Sequence, residues 1–131
     1  WIGEHLNQFS HIHLFLLILV VATTVNFMTE ITSNIATASM VLPILAALSI
    51  AIGYHPYYLM VAAILAASCA FMLPVATAPN AIVFSSGDIK MQDMIKTGIY
   101  LNIISILLIS LVVFFLMPMI WNLNESEFLL P

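Results

Sequence analysis

Two short polar clusters interrupt otherwise apolar stretches of this 131-residue sequence: Thr29-Glu30-Ile31-Thr32-Ser33-Asn34 and Pro74-Val75-Ala76-Thr77-Ala78-Pro79-Asn80. Pro74 and Pro79 each remove a backbone donor and crowd the preceding turn, so a continuous helix through both is not expected. A helix broken in this way exposes N–H groups at one half-helix end, which suit an anion, and C=O groups at the other, which suit a cation. Helices starting after Asn34 and after Pro79 would supply two such N-termini, with Asn80 as an N-cap. Segments ending near Thr32 and near Ala76 would supply the carbonyls, and Thr29, Asn34 and Thr77 add neutral side-chain oxygens. The chemistry this favours is binding of an anion beside a hard monovalent cation such as sodium. Taken singly, such residues only hydrogen-bond between helices or mark a kink. Two dense clusters, each inside an apolar run, shift the reading toward a site.

Other chemistry has no residues to carry it. No nucleophile–base pair, phosphate loop or paired carboxylate is present, so the protein is not read as an enzyme. His11 and His13 form a His-x-His pair with no further ligand at metal spacing, and they read as interfacial, as does His55. The single cysteine, Cys69, reads as a small core residue. Glu30 is the lone carboxylate within the apolar stretch. It is either functional or a brace for neighbouring N–H groups.

The elements that position these clusters belong to a membrane. Hydrophobic residues make up 63% of the chain and charged residues 6%, against about 25% charged in an ordinary soluble domain. The mean hydropathy is +1.16. No charge lies between Glu4 and Glu30, between Glu30 and Asp88, or between Lys96 and Glu125. The net charge of −4 sits at the edges of these gaps, which argues against nucleic-acid binding and against a basic membrane-surface helix. The expected setting is a multi-pass protein of the plasma (inner) membrane, in contact with the lipid bilayer.

Four apolar segments follow one another: Leu14–Met28, Ile35–Ile52, Tyr57–Leu73 and Ile99–Trp121. As a helix, Leu14–Met28 would be about 22 Å long, shorter than a hydrocarbon core of roughly 30 Å. Residues 12–53 are therefore expected to form a re-entrant hairpin with its tip at 29–35. Ser33 and Asn34 would stop near the midplane, where irregular backbone must face protein or a wet cavity. Residues 56–88 are expected to form a broken transmembrane helix, unwound at 74–80, and 98–121 a full span ended by Trp121. Lys90 and Lys96 place the 89–97 connector in the cytoplasm, which puts the Gly53-Tyr54-His55-Pro56 turn and the polar tail 122–131 outside. Residues 1–11 read as the end of an earlier helix and its connector, so a piece of a longer chain is expected.

The stretch from Ala67 through Pro74-Val75-Ala76-Thr77-Ala78-Pro79-Asn80 to Val83 resembles the characteristic motif of the divalent anion/sodium symporters, carriers of dicarboxylates, citrate and sulfate. Thr29-Glu30-Ile31-Thr32-Ser33-Asn34-Ile35-Ala36-Thr37 is similar to the second of that family's two Ser-Asn-Thr hairpin tips. The resemblance implies an all-α polytopic membrane protein of two inverted repeats. This chain, with a re-entrant hairpin, a broken helix and one full span, would be the second repeat. It also implies a homodimer with an elevator-like transport domain. Carried over by position, sodium would meet Thr29, the carbonyl of Thr32, Asn34 and the carbonyl of Ala76. Substrate would meet Ser33 and Asn34 at the tip, position 35, Thr77 and position 78. Ile35 stands where the motif has threonine, and Ala78 where it has the first of two prolines.

The expected activity is sodium-coupled symport of a small divalent anion, either a C4-dicarboxylate such as succinate or sulfate. The alternatives are a sodium-independent dicarboxylate exchanger of the same fold and a structural membrane subunit whose polar kinks only pack helices.

Overall fold

The computed structural model describes residues 2–121, with side chains from residue 13 onward. The described residues form five helices: α1 (Ile2–Thr29), α2 (Asn34–Ala51), α3 (Tyr57–Ala67), α4 (Ala78–Ser85) and α5 (Met91–Trp121). The polar tail expected at 122–131 and the His11 side chain lie outside the described residues.

On α1, the buried residues Leu14, Ile18, Val21, Ala22, Val25, Asn26 and Thr29 recur every third or fourth position and make a single stripe. The stripe packs on α3 and α5. Helix α3 is buried over a wide arc, through Tyr58, Leu59, Ala62, Ala63, Ala66 and Ala67, because α1, α2 and α5 all lie against it. Its alanines permit that close approach. Helix α5 turns Gly98, Asn102, Ile106, Ile109, Ser110, Val113 and Met117 inward. Its other face exposes Leu107, Leu111 and Phe115, an arrangement suited to lipid. Among the described residues, two helices, Asn34–Ala51 and Met91–Trp121, are long and apolar enough to cross a membrane.

Several boundaries differ from those expected. Helix α1 has 28 residues and runs unbroken through residues 11–12, so the shortness of Leu14–Met28 is not what shapes the turn into α2. The shape comes from the tip. The Thr32 hydroxyl donates to the Met28 carbonyl at 2.8 Å and Ile31 N–H reaches the same carbonyl at 3.4 Å, which ends α1 at Thr29. The Thr32 and Thr37 hydroxyls meet at 2.5 Å, and Thr37 N–H donates to Ser33 O at 2.8 Å to open α2. Helices α1 and α2 touch each other little and pack mainly on α3.

The break in the third segment runs from Ser68 to Thr77, earlier than the expected 74–80. Pro79 lies in the first turn of α4, where a missing N–H is harmless. Thr77, not Asn80, is the N-cap: its backbone is extended and its hydroxyl accepts from Asn80 N–H at 3.3 Å. Helix α5 begins at Met91, so Lys96, expected in a connector, is helical. At the opposite end of α5, Trp121 lies edge-on to Tyr57, with ring centroids 6.2 Å apart. The Gly53–Pro56 turn and the end of α5 therefore share one end of the bundle.

Helix α5 meets the break at Gly98. A Cβ there would stand 2.5 Å from both Met72 Cα and Phe71 O. In an open helix, Gly→Ala stabilises by roughly 0.5–1 kcal/mol, but here overpacking of about 1–3 kcal/mol outweighs it. Gly98→Ala should lower the thermal unfolding midpoint of the full-length protein in detergent. An unchanged or raised midpoint would contradict this packing.

Candidate functional site

The sequence around the tip ends one helix and starts another within four residues, and the break opposite frees backbone groups that α1 then collects. Thr29, fully buried, points its hydroxyl at Asn34 Oδ1 (2.6 Å) and at the carbonyl of Ala67 (3.0 Å), the last residue of α3. Asn26, one turn earlier on α1, donates its amide to the Cys69 carbonyl. Glu30, 4% exposed, accepts from Phe71 N–H (2.9 Å) and Met72 N–H (3.0 Å) on Oε1, and from Leu73 N–H (3.1 Å) on Oε2. Asn102 of α5 donates to the same Oε1 at 2.6 Å. From the far side of the break, Asn80 Nδ2 donates to the carbonyls of Ala70 (2.8 Å) and Leu73 (3.1 Å).

These bonds explain why the chain leaves the helix at Ser68, before either proline. Phe71, Met72 and Leu73 would donate along a continued helix, but a carboxylate is the stronger acceptor. Glu30 is thus a brace, holding N–H groups of the break and not those of its own tip.

The expected ligands are placed unevenly. Thr29 and Asn34 are in direct contact, with Asn34 half-buried. Thr32 and Ser33 are exposed and Ile35 is 80% exposed. Ala76 and Thr77 are half-buried in and at the end of the break, and Ala78 is exposed. Among the described residues, no hydrogen bond joins residues 32–35 to residues 76–78. Two helix N-termini are present, at Asn34 and at Ala78. The carbonyl ends are not where they were expected. Helix α1 ends at Thr29, and α3 ends at Ala67, whose carbonyl Thr29 already engages. Ala76 lies in a turn, with its N–H on Leu73 O at 3.2 Å.

Asn26 and Asn102 were missed by the sequence reading. Their signal was present: each is an amide inside an apolar run, where polar side chains are costly unless paired.

Removing the Glu30 carboxylate strands three backbone N–H groups and the Asn102 amide, at about 1–3 kcal/mol per buried unmet group. Pro74 prevents a simple return to helix. Glu30→Ala should therefore depress the thermal midpoint of the full-length protein far more than Ser85→Ala, which removes an exposed hydroxyl bonded only within its own helix. Equal shifts for the two variants would refute the brace.

Residues 1–122 match the family described as the sodium:sulfate symporter transmembrane region. A sodium-dependent dicarboxylate transporter, SdcS, from Staphylococcus saprophyticus is 48% identical over 127 residues, covering 97% of this chain and 24% of the relative. The protein of the same name from Staphylococcus aureus is similar to the same extent, 48% over 127 residues. The chain thus spans about a quarter of the length of these relatives. A match over nearly all of an all-helical, strongly apolar chain leaves one assignment: this chain belongs to the sodium:sulfate symporter family of membrane transport proteins.

Proposed function

We propose that the full-length protein carries a small divalent anion, a C4-dicarboxylate such as succinate or else sulfate, across the plasma membrane in symport with sodium. The observation that carries the reading is the contact of Thr29 with Asn34 at the turn between α1 and α2, beside a braced helix break. Neutral oxygens from the tip suit sodium, with Thr29, Asn34 and the carbonyls of Thr32 and Ala76 as the set. The N-termini of α2 and α4 suit the anion, met by Ser33, Asn34, Ile35, Thr77 and Ala78. In this reading residues 12–53 are a re-entrant hairpin, the chain is the second of two inverted repeats, and the protein is a homodimer. The exposure of Ser33, Ile35 and Ala78 fits a site completed by another part of the protein. The names of the relatives favour a dicarboxylate over sulfate.

The test is uptake of labelled succinate and sulfate by the full-length protein in liposomes, with and without a sodium gradient. Saturable uptake that needs sodium supports symport. Uptake that ignores sodium but needs a counter-anion inside would replace it with exchange, and no saturable flux would leave only a structural subunit.

Asn34 serves both ions in this reading, so Asn34→Ala should abolish uptake while the protein still folds and inserts. Normal uptake by that variant would remove the tip from the site.

Ile35 gives a finer test. An apolar side chain where the resembling motif has threonine leaves an anionic oxygen without a partner, at about 1–3 kcal/mol, or roughly five- to 150-fold in affinity. Ile35→Thr should tighten dicarboxylate binding and leave sodium dependence nearly unchanged, and Ile35→Val should not reproduce the gain. Identical behaviour of the two variants would show that residue 35 does not touch substrate.

A further inference from the structure

Glu30 is a carboxylate enclosed by apolar helices, and among the described residues no basic side chain pairs with it. Lys90 and Lys96 are both exposed. The N–H groups of Phe71, Met72 and Leu73 and the amide of Asn102 orient the carboxylate. They carry no net charge, so one negative charge stays inside.

Two amide oxygens on side chains that bond this break or its brace have no partner: Asn26 Oδ1 and Asn102 Oδ1, both on residues with 0% exposure. Native interiors rarely leave such atoms unmet, and an ion or a water is the usual reason when they do. Three side chains converge on one stretch. Asn26 lies in the last turn of α1 and Glu30 is the first residue past its end, and they bond Cys69 O and the N–H groups of Phe71–Leu73 respectively. Asn102 arrives from α5 with its Nδ2 2.6 Å from Glu30 Oε1. Its Oδ1 shares a carbon with that nitrogen, so it lies close to the carboxylate.

The nitrogen donors of both asparagines are already engaged, on Cys69 O and on Glu30, so what these side chains still offer is acceptors. Amide and carboxylate oxygens select hard cations, and a single compensating charge calls for a monovalent one. We infer that Asn26 Oδ1 and Asn102 Oδ1, with Glu30 as counter-charge, form a binding site for one hard monovalent cation behind the tip, distinct from the Thr29–Asn34 oxygens. That the cation is sodium rests on the transport reading above.

The first test is direct. Density maps of the full-length protein prepared in sodium and in choline should differ by a peak between Asn26 and Asn102 present only in sodium. A peak in both salts identifies a water and overturns the site, as does a peak in neither. This outcome is independent of transport, so a wild-type protein that took up anion without sodium would end the symport reading and leave the binding result to stand or fall alone.

The second test uses an isosteric pair. Threonine at position 26 can donate to Cys69 O and still offer a lone pair, as Thr29 does with Ala67 O, whereas valine can do neither. The sodium concentration for half-maximal uptake should be about tenfold or more higher in Asn26→Val than in Asn26→Thr, the usual scale for loss of an ion-holding group. Equal values would overturn the proposal. Should the valine variant fail to fold, the wild-type maps still decide.

Discussion

A buried carboxylate facing three successive backbone N–H groups organises this chain. Glu30 holds Phe71, Met72 and Leu73 out of helical register, and the Asn102 amide fixes the same oxygen from α5. Charge-assisted bonds of this kind contribute about 1.5–3 kcal/mol each, more than the helical bonds they displace. Irregular backbone inside a bilayer must find its partners in protein, and here they come from three directions. Asn26 and Thr29 reach in from the last turn of α1 and Glu30 from just past its end, Asn80 from α4 and Asn102 from α5. The tip and the break, far apart in sequence, are thereby held as one unit. The Thr29 hydroxyl then joins Asn34 to the end of α3.

Much of the architecture was legible in the residues. The apolar runs, the Gly53–Pro56 turn and the two interruptions follow from local rules of hydropathy and of proline and glycine chemistry, which act over a few residues. The exact position of the break was not legible, because it is set by α1 and not by the prolines nearby. Pro74 and Pro79 mark where a helix cannot continue, but Glu30 decides where it stops, and only the fold brings residue 30 to residue 71. The N-cap was misassigned for a related reason. Asn80 is a good cap by type, yet its amide is drawn back to Ala70 and Leu73, and Thr77 takes the role.

The candidate ligands divide along the same line. Thr29 and Asn34 are five residues apart across a tight turn, so their contact follows from the turn itself. Ser33, Ile35 and Ala78 are exposed, and no hydrogen bond among the described residues joins them to Thr77. Asn26 and Asn102 stood out as amides in apolar runs, but their shared target could not be read without the packing of α1 against α5.

The clamp also orders the events of assembly. Its bonds link residues 41 to 43 positions apart, and the Asn102 bond closes over 72 positions. Chains are made from the N-terminus, so Glu30 is already in place when the Phe71–Leu73 stretch emerges. The break can thus be captured as soon as it is made, before a helical alternative is established. Asn102 arrives last, and Gly98, one turn before it, admits α5 close enough to the break for the final bond. The last helix therefore acts as a closing piece. Until it docks, the segment that shapes the site lacks the third of its three sets of bonds.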